Sequence, residues 1–217
     1  MGSLSVSKVA GFSIMLGPII GIVGYFLQTL LVFEGNDPTS GAVIVPLINA
    51  NPEMMFISGL LVMFGLIMIL TGIRYLAANL TGGGEALSGY IVALVSIGVV
   101  GWIITVGANW TIAGLDMATE GANAGPTFAI AQGINTVAGI LFGLGFLILA
   151  YCISQGDSYN KMFAYIGALA AAVLVAVQVL SAADVLTDGQ LASTIGGICF
   201  IVFTLWSITI GREILSE

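Results

Sequence analysis

Residues 51–79 read NPEMMFISGLLVMFGLIMILTGIRYLAAN, and this stretch decides the class of the protein. Asn51, Pro52 and Glu53 predict a helix start, because asparagine caps a first turn, proline fits into it and an acid favours the positive end of the helix dipole. The next charge along the chain is Arg74. A helix needs roughly 20 predominantly apolar residues to cross a bilayer. The stretch therefore predicts a membrane-spanning helix.

Five further apolar runs bring the number of predicted spans to six. Their boundaries are about 9–33, 54–79, 88–108, 127–153, 162–183 and 192–212. The chain is 59% hydrophobic and 7% charged, whereas an average soluble domain carries about 25% charged residues. The first run is longer than the roughly 7–15 apolar residues of a secretory signal, so we interpret it as a span. We predict an all-α polytopic membrane protein in which residues 1–217 form a single six-helix domain.

The basic residues predict the orientation of these spans. If the spans alternate in direction, all four basic residues share one face of the membrane, namely Lys8, Arg74, Lys161 and Arg212. The positive-inside rule makes that face cytoplasmic. We therefore expect a multi-pass protein of the cell membrane with both the N terminus and the C terminus in the cytoplasm.

Acidic residues are concentrated on the opposite, outer face. The seven acids there are Glu34, Asp37, Glu53, Asp116, Glu120, Asp184 and Asp188, whereas the four inner ones, Glu85, Asp157, Glu213 and Glu217, offset the four cations. The acidic rim either concentrates cations or is an ordinary solvated surface. A nucleic-acid partner is not expected, because the chain has no basic patch to neutralise phosphates.

Missing residue types exclude several kinds of chemistry. The chain contains no histidine, which excludes imidazole ligation of metals and the catalytic arrangements built on histidine. No carboxylate or lysine falls near the centre of a predicted span, where a proton relay or a Schiff base would need one. Cys152 and Cys199 fall at different depths, so they predict neither a disulfide nor a thiolate metal site. We expect no metal and no cofactor, and we favour a protein that is not an enzyme.

A few polar side chains remain inside or next to the spans, and they fall in one outer layer. These candidate residues are Gln28, Thr29, Gln132, Asn135, Gln178 and Asp184. One interpretation is an outer vestibule that admits a small neutral or cationic solute. The other is structural, since polar side chains hydrogen-bond across helices in membrane bundles.

Small residues recur at the spacing that lets helices approach closely. Gly17 and Gly21 lie on span one, Gly139 and Gly143 on span four, and Ala168 and Ala172 on span five. Such residues serve packing within one bundle or against another subunit. Between spans one and two, residues 42–48 are apolar but too few to span. We expect this segment to lie in the membrane interface or over the bundle as a lid.

Three classes of function remain open. The first, which we favour, is a non-catalytic membrane subunit, an accessory helix bundle whose partners are lipid and other membrane subunits or further copies of itself. The second is a passive channel or facilitative transporter for a small neutral or cationic solute. The third is a membrane enzyme acting on lipid, for which Glu85, Asp116, Glu120 and Asp157 are the available acids.

Overall fold

The computed structural model describes residues 5–156 and 159–216, and these ranges are helical without β-strands. Seven α-helices occur in them: α1 Val6–Leu27, α2 Gly41–Ala50, α3 Pro52–Ala78, α4 Ser88–Gly114, α5 Ala124–Gln155, α6 Lys161–Ala182 and α7 Gly189–Ser216. All except α2 are long and apolar enough to cross a membrane. The prediction of six spanning helices in an all-α chain is therefore confirmed.

The six long helices form a closed ring. Around it, each helix contacts the next in the order α1, α3, α4, α5, α6, α7 and back to α1. Neighbours run antiparallel, as two contacts between α1 and α7 illustrate: Gly11 lies against Gly211, and the Tyr25 hydroxyl hydrogen-bonds Ser193. Alternating directions bring Lys8, Arg74, Lys161 and Arg212 to one end of the ring, which we call the basic end. The opposite end carries α2, and we call it the lid end.

Side-chain caps begin three of the helices. The Ser5 hydroxyl accepts a hydrogen bond from the Lys8 amide, and the side-chain oxygens of Asn160 and Asp188 play the same part for α6 and α7. Helix α3 begins at Pro52, as the sequence predicts. The Asn51 side chain accepts no capping hydrogen bond, however, and its amide nitrogen donates to the Leu47 carbonyl of α2.

Several helix ends differ from the predicted spans, and the largest differences are at the ends of α4 and α1. Helix α4 continues beyond the predicted residue 108 to Gly114, because no helix breaker intervenes and Trp110 packs against Phe56 of α3 with ring centroids 4.7 Å apart. The indole nitrogen of Trp110 also donates to the Met55 carbonyl. At the end of α1, residues Gln28–Val32 form one π-helical turn. Such wide turns occur often at functional sites.

Residues 33–51, which we call the lid, cover one end of the ring. Helix α2 lies in this segment and buries Ile44, Val45 and Ile48 against residues of α3, α4 and α5. The Asn49 side-chain amide donates to the carbonyls of Ile112 and Leu115 at the end of α4. The short apolar segment therefore packs over the bundle, one of the two placements expected from the sequence.

All six long helices contribute buried apolar side chains to one contiguous core. Its centre is aromatic and comes from α4, α5 and α7: Trp102, Phe142, Phe146, Phe200, Phe203 and Trp206. Trp102 and Phe203 lie near the midpoints of their helices. Large aromatic side chains therefore fill the interior of the helix ring near the middle of the bundle.

Candidate functional site

The predicted polar layer lies at the lid end, and two of its glutamines form hydrogen bonds with other parts of the chain. Gln28 donates its side-chain amide to the Met55 sulfur of α3, 3.2 Å away. Gln132 donates to the Pro38 carbonyl of the lid at 2.8 Å. Both side chains are partly buried. Their amides connect elements of one chain, as expected of interhelical hydrogen bonding in a membrane bundle.

The other members of the layer have no side-chain hydrogen bond with the described part of the chain. Asn135 and Gln178 are partly buried, and the Gln178 amide packs on Gly139 where α5 meets α6. Thr29 is also partly buried. Asp184 is exposed in the connection between α6 and α7, with a φ of +54°. The six predicted residues therefore share one end of the bundle without converging on one site.

Further polar contacts at this end were not predicted. The Gln190 side-chain amide donates to the Gly35 carbonyl, which connects α7 to the lid. One turn deeper, the hydroxyls of Tyr25 and Ser193 are 3.0 Å apart. With the Gln132 bond to Pro38, these contacts hold the first part of the lid across the ring from α5 to α7. Their partners are backbone carbonyls and hydroxyls of distant segments, which leave no local pattern in the sequence.

The aromatic centre of the core was missed as well. Phe142 and Phe146 stack with ring centroids 4.7 Å apart, and Phe203 lies 4.8 Å from Phe146. Trp102 reaches into the same cluster, 4.7 Å from Phe142. Tryptophan ordinarily favours the membrane–water boundary, so a tryptophan in the middle of a span is a signal that sequence analysis can use.

Helices α1 and α3 meet through glycine. A Cβ atom on Gly65 would lie 2.5 Å from the Gly21 nitrogen and 2.6 Å from the Gly17 oxygen. On Gly17 it would lie 2.8 Å from the Ile69 nitrogen. On Gly24 it would lie 2.8 Å from the Ser58 oxygen. Real Cβ atoms do not approach so closely, so the backbones touch where glycine permits it. We call this contact the glycine seam.

The predicted small residues of spans four and five lie partly at the contact between α5 and α6. Gly139 faces Gln178, and a Cβ on Gly143 would lie 2.7 Å from a methyl group of Val175. On α6, Ala168 is half-buried next to the core, whereas Ala172 is exposed. The buried small residues of that helix are Ala164, Gly167, Ala170 and Ala171.

Among the described residues, the acids considered for lipid chemistry do not come together in one site. Asp116 and Glu120 bond to backbone and hydroxyl groups of their own turn. Glu85 is exposed at the basic end, and Asp157 lies outside the described residues. Cys152 and Cys199 are buried and free. Within residues 5–156 and 159–216, no three metal-ligating side chains come together.

Comparison with protein-family models, with curated proteins and with solved structures finds no match to this chain. The class of the protein therefore follows from its own sequence and fold. Six apolar helices long enough to span a bilayer define a multi-pass membrane helix bundle. Its core is apolar, and the polar residues predicted as an outer layer lie at the lid end.

Proposed function

We propose that this protein is a non-catalytic subunit of a membrane complex, an accessory helix bundle that packs against other membrane proteins and lipid. The observation that carries the proposal is the closed aromatic centre of the core. A solute that crossed the bundle inside the helix ring would have to pass the side chains of Trp102, Phe142 and Phe203. Phe142 packs against both of the others near the middle of the bundle. A packed apolar core at this depth offers no polar route across the bilayer.

The distribution of polar groups supports the same proposal. Threonines within the spans other than Thr29 return their hydroxyl hydrogens to carbonyls of their own helices, as Thr71, Thr136 and Thr204 do. Among the described residues, one buried side-chain polar atom lacks a hydrogen-bond partner, the Ser181 oxygen near the lid end of α6. Ionisable residues within the membrane mark the path of a transporter, whereas the buried polar residues of the described part of the chain are four serines.

We further propose that the basic end faces the cytoplasm of the cell membrane and that residues 1–217 act as one domain. The support is the location of Lys8, Arg74, Lys161 and Arg212 at one end of the ring. Impermeant amine labelling of intact cells tests it. We expect Lys8 and Lys161 to stay unlabelled until the cells are opened. Labelling of either lysine from outside would contradict the orientation.

The subunit proposal is tested by gentle purification. The tagged chain is extracted from its native membrane in a mild detergent and its mass measured under non-denaturing conditions. We expect a complex of fixed stoichiometry that contains at least one other membrane protein or further copies of this chain. A lone monomer at every detergent concentration that preserves the helical fold would refute the proposal.

The alternative is a passive channel or facilitative transporter, and one observation favours it. The Gly35 carbonyl of the lid accepts from Gln190, one turn from the Tyr25–Ser193 pair, so movement of the lid would free polar groups at this end, where Gln28 also lies. Liposomes that contain only this protein test it, with small neutral solutes and monovalent cations as probes. We expect no flux above that of empty liposomes. Flux that Gln28→Leu abolishes, and that the lipid-facing Phe64→Leu leaves intact, would establish the alternative.

A further inference from the structure

A groove of about 360 Å³ lies between the start of α6 and the end of α7, at the basic end of the ring. It is remote from the lid, and the functions considered above make no use of it. Six residues line it: Asn160, Phe163, Thr209, Arg212, Glu213 and Ser216. Since it lies where two spanning helices end, it falls at the boundary between lipid tails and water, at the depth of phospholipid headgroups.

The groove carries two opposite charges that do not neutralise each other. Arg212 and Glu213 are consecutive in α7, so their side chains leave the helix in directions about 100° apart. Neither side chain forms a hydrogen bond or an ion pair with the described part of the chain. The groove therefore presents a separate cation and anion to a ligand.

We propose that this groove binds the headgroup of a zwitterionic phospholipid with a primary ammonium, a phosphatidylethanolamine. The Arg212 guanidinium donates to the phosphate oxygens, for which its planar fork is well suited. The Glu213 carboxylate accepts from the ammonium. Both contacts are charge-assisted hydrogen bonds, which are stronger than those between neutral groups.

The neutral side chains match this arrangement. The hydroxyl hydrogens of Thr209 and Ser216 are engaged with the carbonyls of Trp206 and Glu213, both at 2.7 Å. Their oxygens can still accept, as an ammonium requires. The Asn160 side-chain oxygen already accepts from the Met162 and Phe163 amides, so its NH₂ group remains free to donate to phosphate. Acceptors and donors are thus both present in the lining of the groove.

The surface beyond the groove suits acyl chains. One turn further toward the middle of the membrane, α6 exposes 43% of Ile166 and α7 exposes 61% of Leu205. Phe163 stands between the groove and this apolar surface, with 36% of it exposed. A bound phospholipid places its headgroup on the charges and its tails along these side chains.

The same charges exclude other headgroups. An anionic lipid without an ammonium would leave Glu213 unpaired next to a phosphate, and like charges repel. A choline headgroup carries its charge on a trimethylated nitrogen, which has no N–H to donate to Glu213, Thr209 or Ser216. The groove therefore selects ethanolamine over both choline and glycerol headgroups.

Native mass spectrometry of the full-length protein tests this proposal. The protein is released from nanodiscs that contain equal amounts of phosphatidylethanolamine, phosphatidylcholine and phosphatidylglycerol, and the retained lipids are counted. We expect preferential retention of phosphatidylethanolamine. Arg212→Gln and Glu213→Gln should each reduce it by about tenfold, the effect of losing one hydrogen bond to a charged group.

Matched variants at the same end separate the groove from general surface charge. Arg74→Gln and Glu85→Gln remove one exposed charge each outside the groove, and we expect them to retain the lipid as the unmodified protein does. Circular dichroism confirms that every variant keeps its helical content. The proposal is overturned if Arg74→Gln has the same effect as Arg212→Gln, or if phosphatidylglycerol is retained best and Glu213→Gln improves its retention.

Discussion

The glycine seam and the aromatic centre hold the same ring of helices in opposite ways. At the seam, Gly17 and Gly65 let the backbones of α1 and α3 touch, so a single added carbon has no room. At the aromatic centre, rings of Phe146 and Phe203 fill the wider space between α5 and α7. Lipid tails are as apolar as these side chains, so close packing must supply most of the attraction between helices. An added side chain would therefore clash at the seam, whereas loss of a ring would leave a cavity at the aromatic centre.

The largest effect is expected from Gly65→Leu, which adds a side chain at the seam. Its Cβ would lie 2.5 Å from the Gly21 nitrogen, and backbone cannot yield as a flexible side chain does. We expect a loss of more than about 3 kcal/mol in the free energy of unfolding, beyond the usual cost of overpacking. Denaturation by SDS in mixed micelles, followed by circular dichroism, measures it.

Gly107→Leu is the matched control for that substitution. A Cβ at this glycine of α4 meets nothing within 4 Å, and the residue is exposed. Both changes replace glycine by a good helix former inside a spanning helix, so the difference between them isolates the contact of α1 with α3. Equal stabilities would show that close backbone approach is not required there.

A somewhat smaller loss is expected when the aromatic centre loses atoms, as in Phe146→Ala. Its ring is 3% exposed and contacts Phe142, Phe203 and Trp206. We expect the free energy of unfolding to fall by about 3 kcal/mol, the lower end of the range for aromatic truncation. The value is low because moving an aromatic side chain from lipid into the protein gains much less free energy than moving it from water. Phe64→Ala, at a residue that is 60% exposed, is the control for the same titration. Similar losses in both variants would show that the centre does not stabilise the ring.

The lid is attached to the ring by side-chain amides in addition to its apolar contacts. Asn49→Ala removes the donors to the Ile112 and Leu115 carbonyls. We expect a local cost of about 1 kcal/mol, seen as faster hydrogen exchange in Gly41–Ala50 with little change in global stability. Asn123→Ala, at an exposed position of the same end, should leave exchange unchanged. If Asn49→Ala unfolds the whole bundle, the lid is part of the common core.

The smallest effect is expected within the polar layer. Gln132→Leu removes the bond to the Pro38 carbonyl and should cost about 0.6 kcal/mol, the average for such bonds in membrane bundles. Gln178→Leu should cost less, since that amide has no hydrogen-bond partner among the described residues. Thermal unfolding in detergent compares the two variants. A larger loss for Gln178→Leu would reveal a partner of this side chain outside the chain.

Much of the fold follows from the sequence, but the side-chain contacts between helices and at the lid end do not. Asn51-Pro52-Glu53 predicts the start of α3, and the spacing of Gly17 and Gly21 predicts a close helix contact. The sequence does not reveal that Gly65 is their partner, because small residues recur on several spans. Nor does it show that Ala172 lies on the exposed side of α6 while Ala171 is buried. Hydropathy is too uniform along these helices to identify the inward face.

The sequence alone establishes six apolar segments long enough to span a membrane, and it contains no histidine. Segment length and apolar content suffice for this, since backbone polar groups in a bilayer must be satisfied within helices. Only the tertiary structure decides that α1 and α3 meet through glycine, that aromatic rings close the centre and that Arg212 and Glu213 line a common groove. These features depend on which helix faces are in contact, and they join residues far apart in the chain.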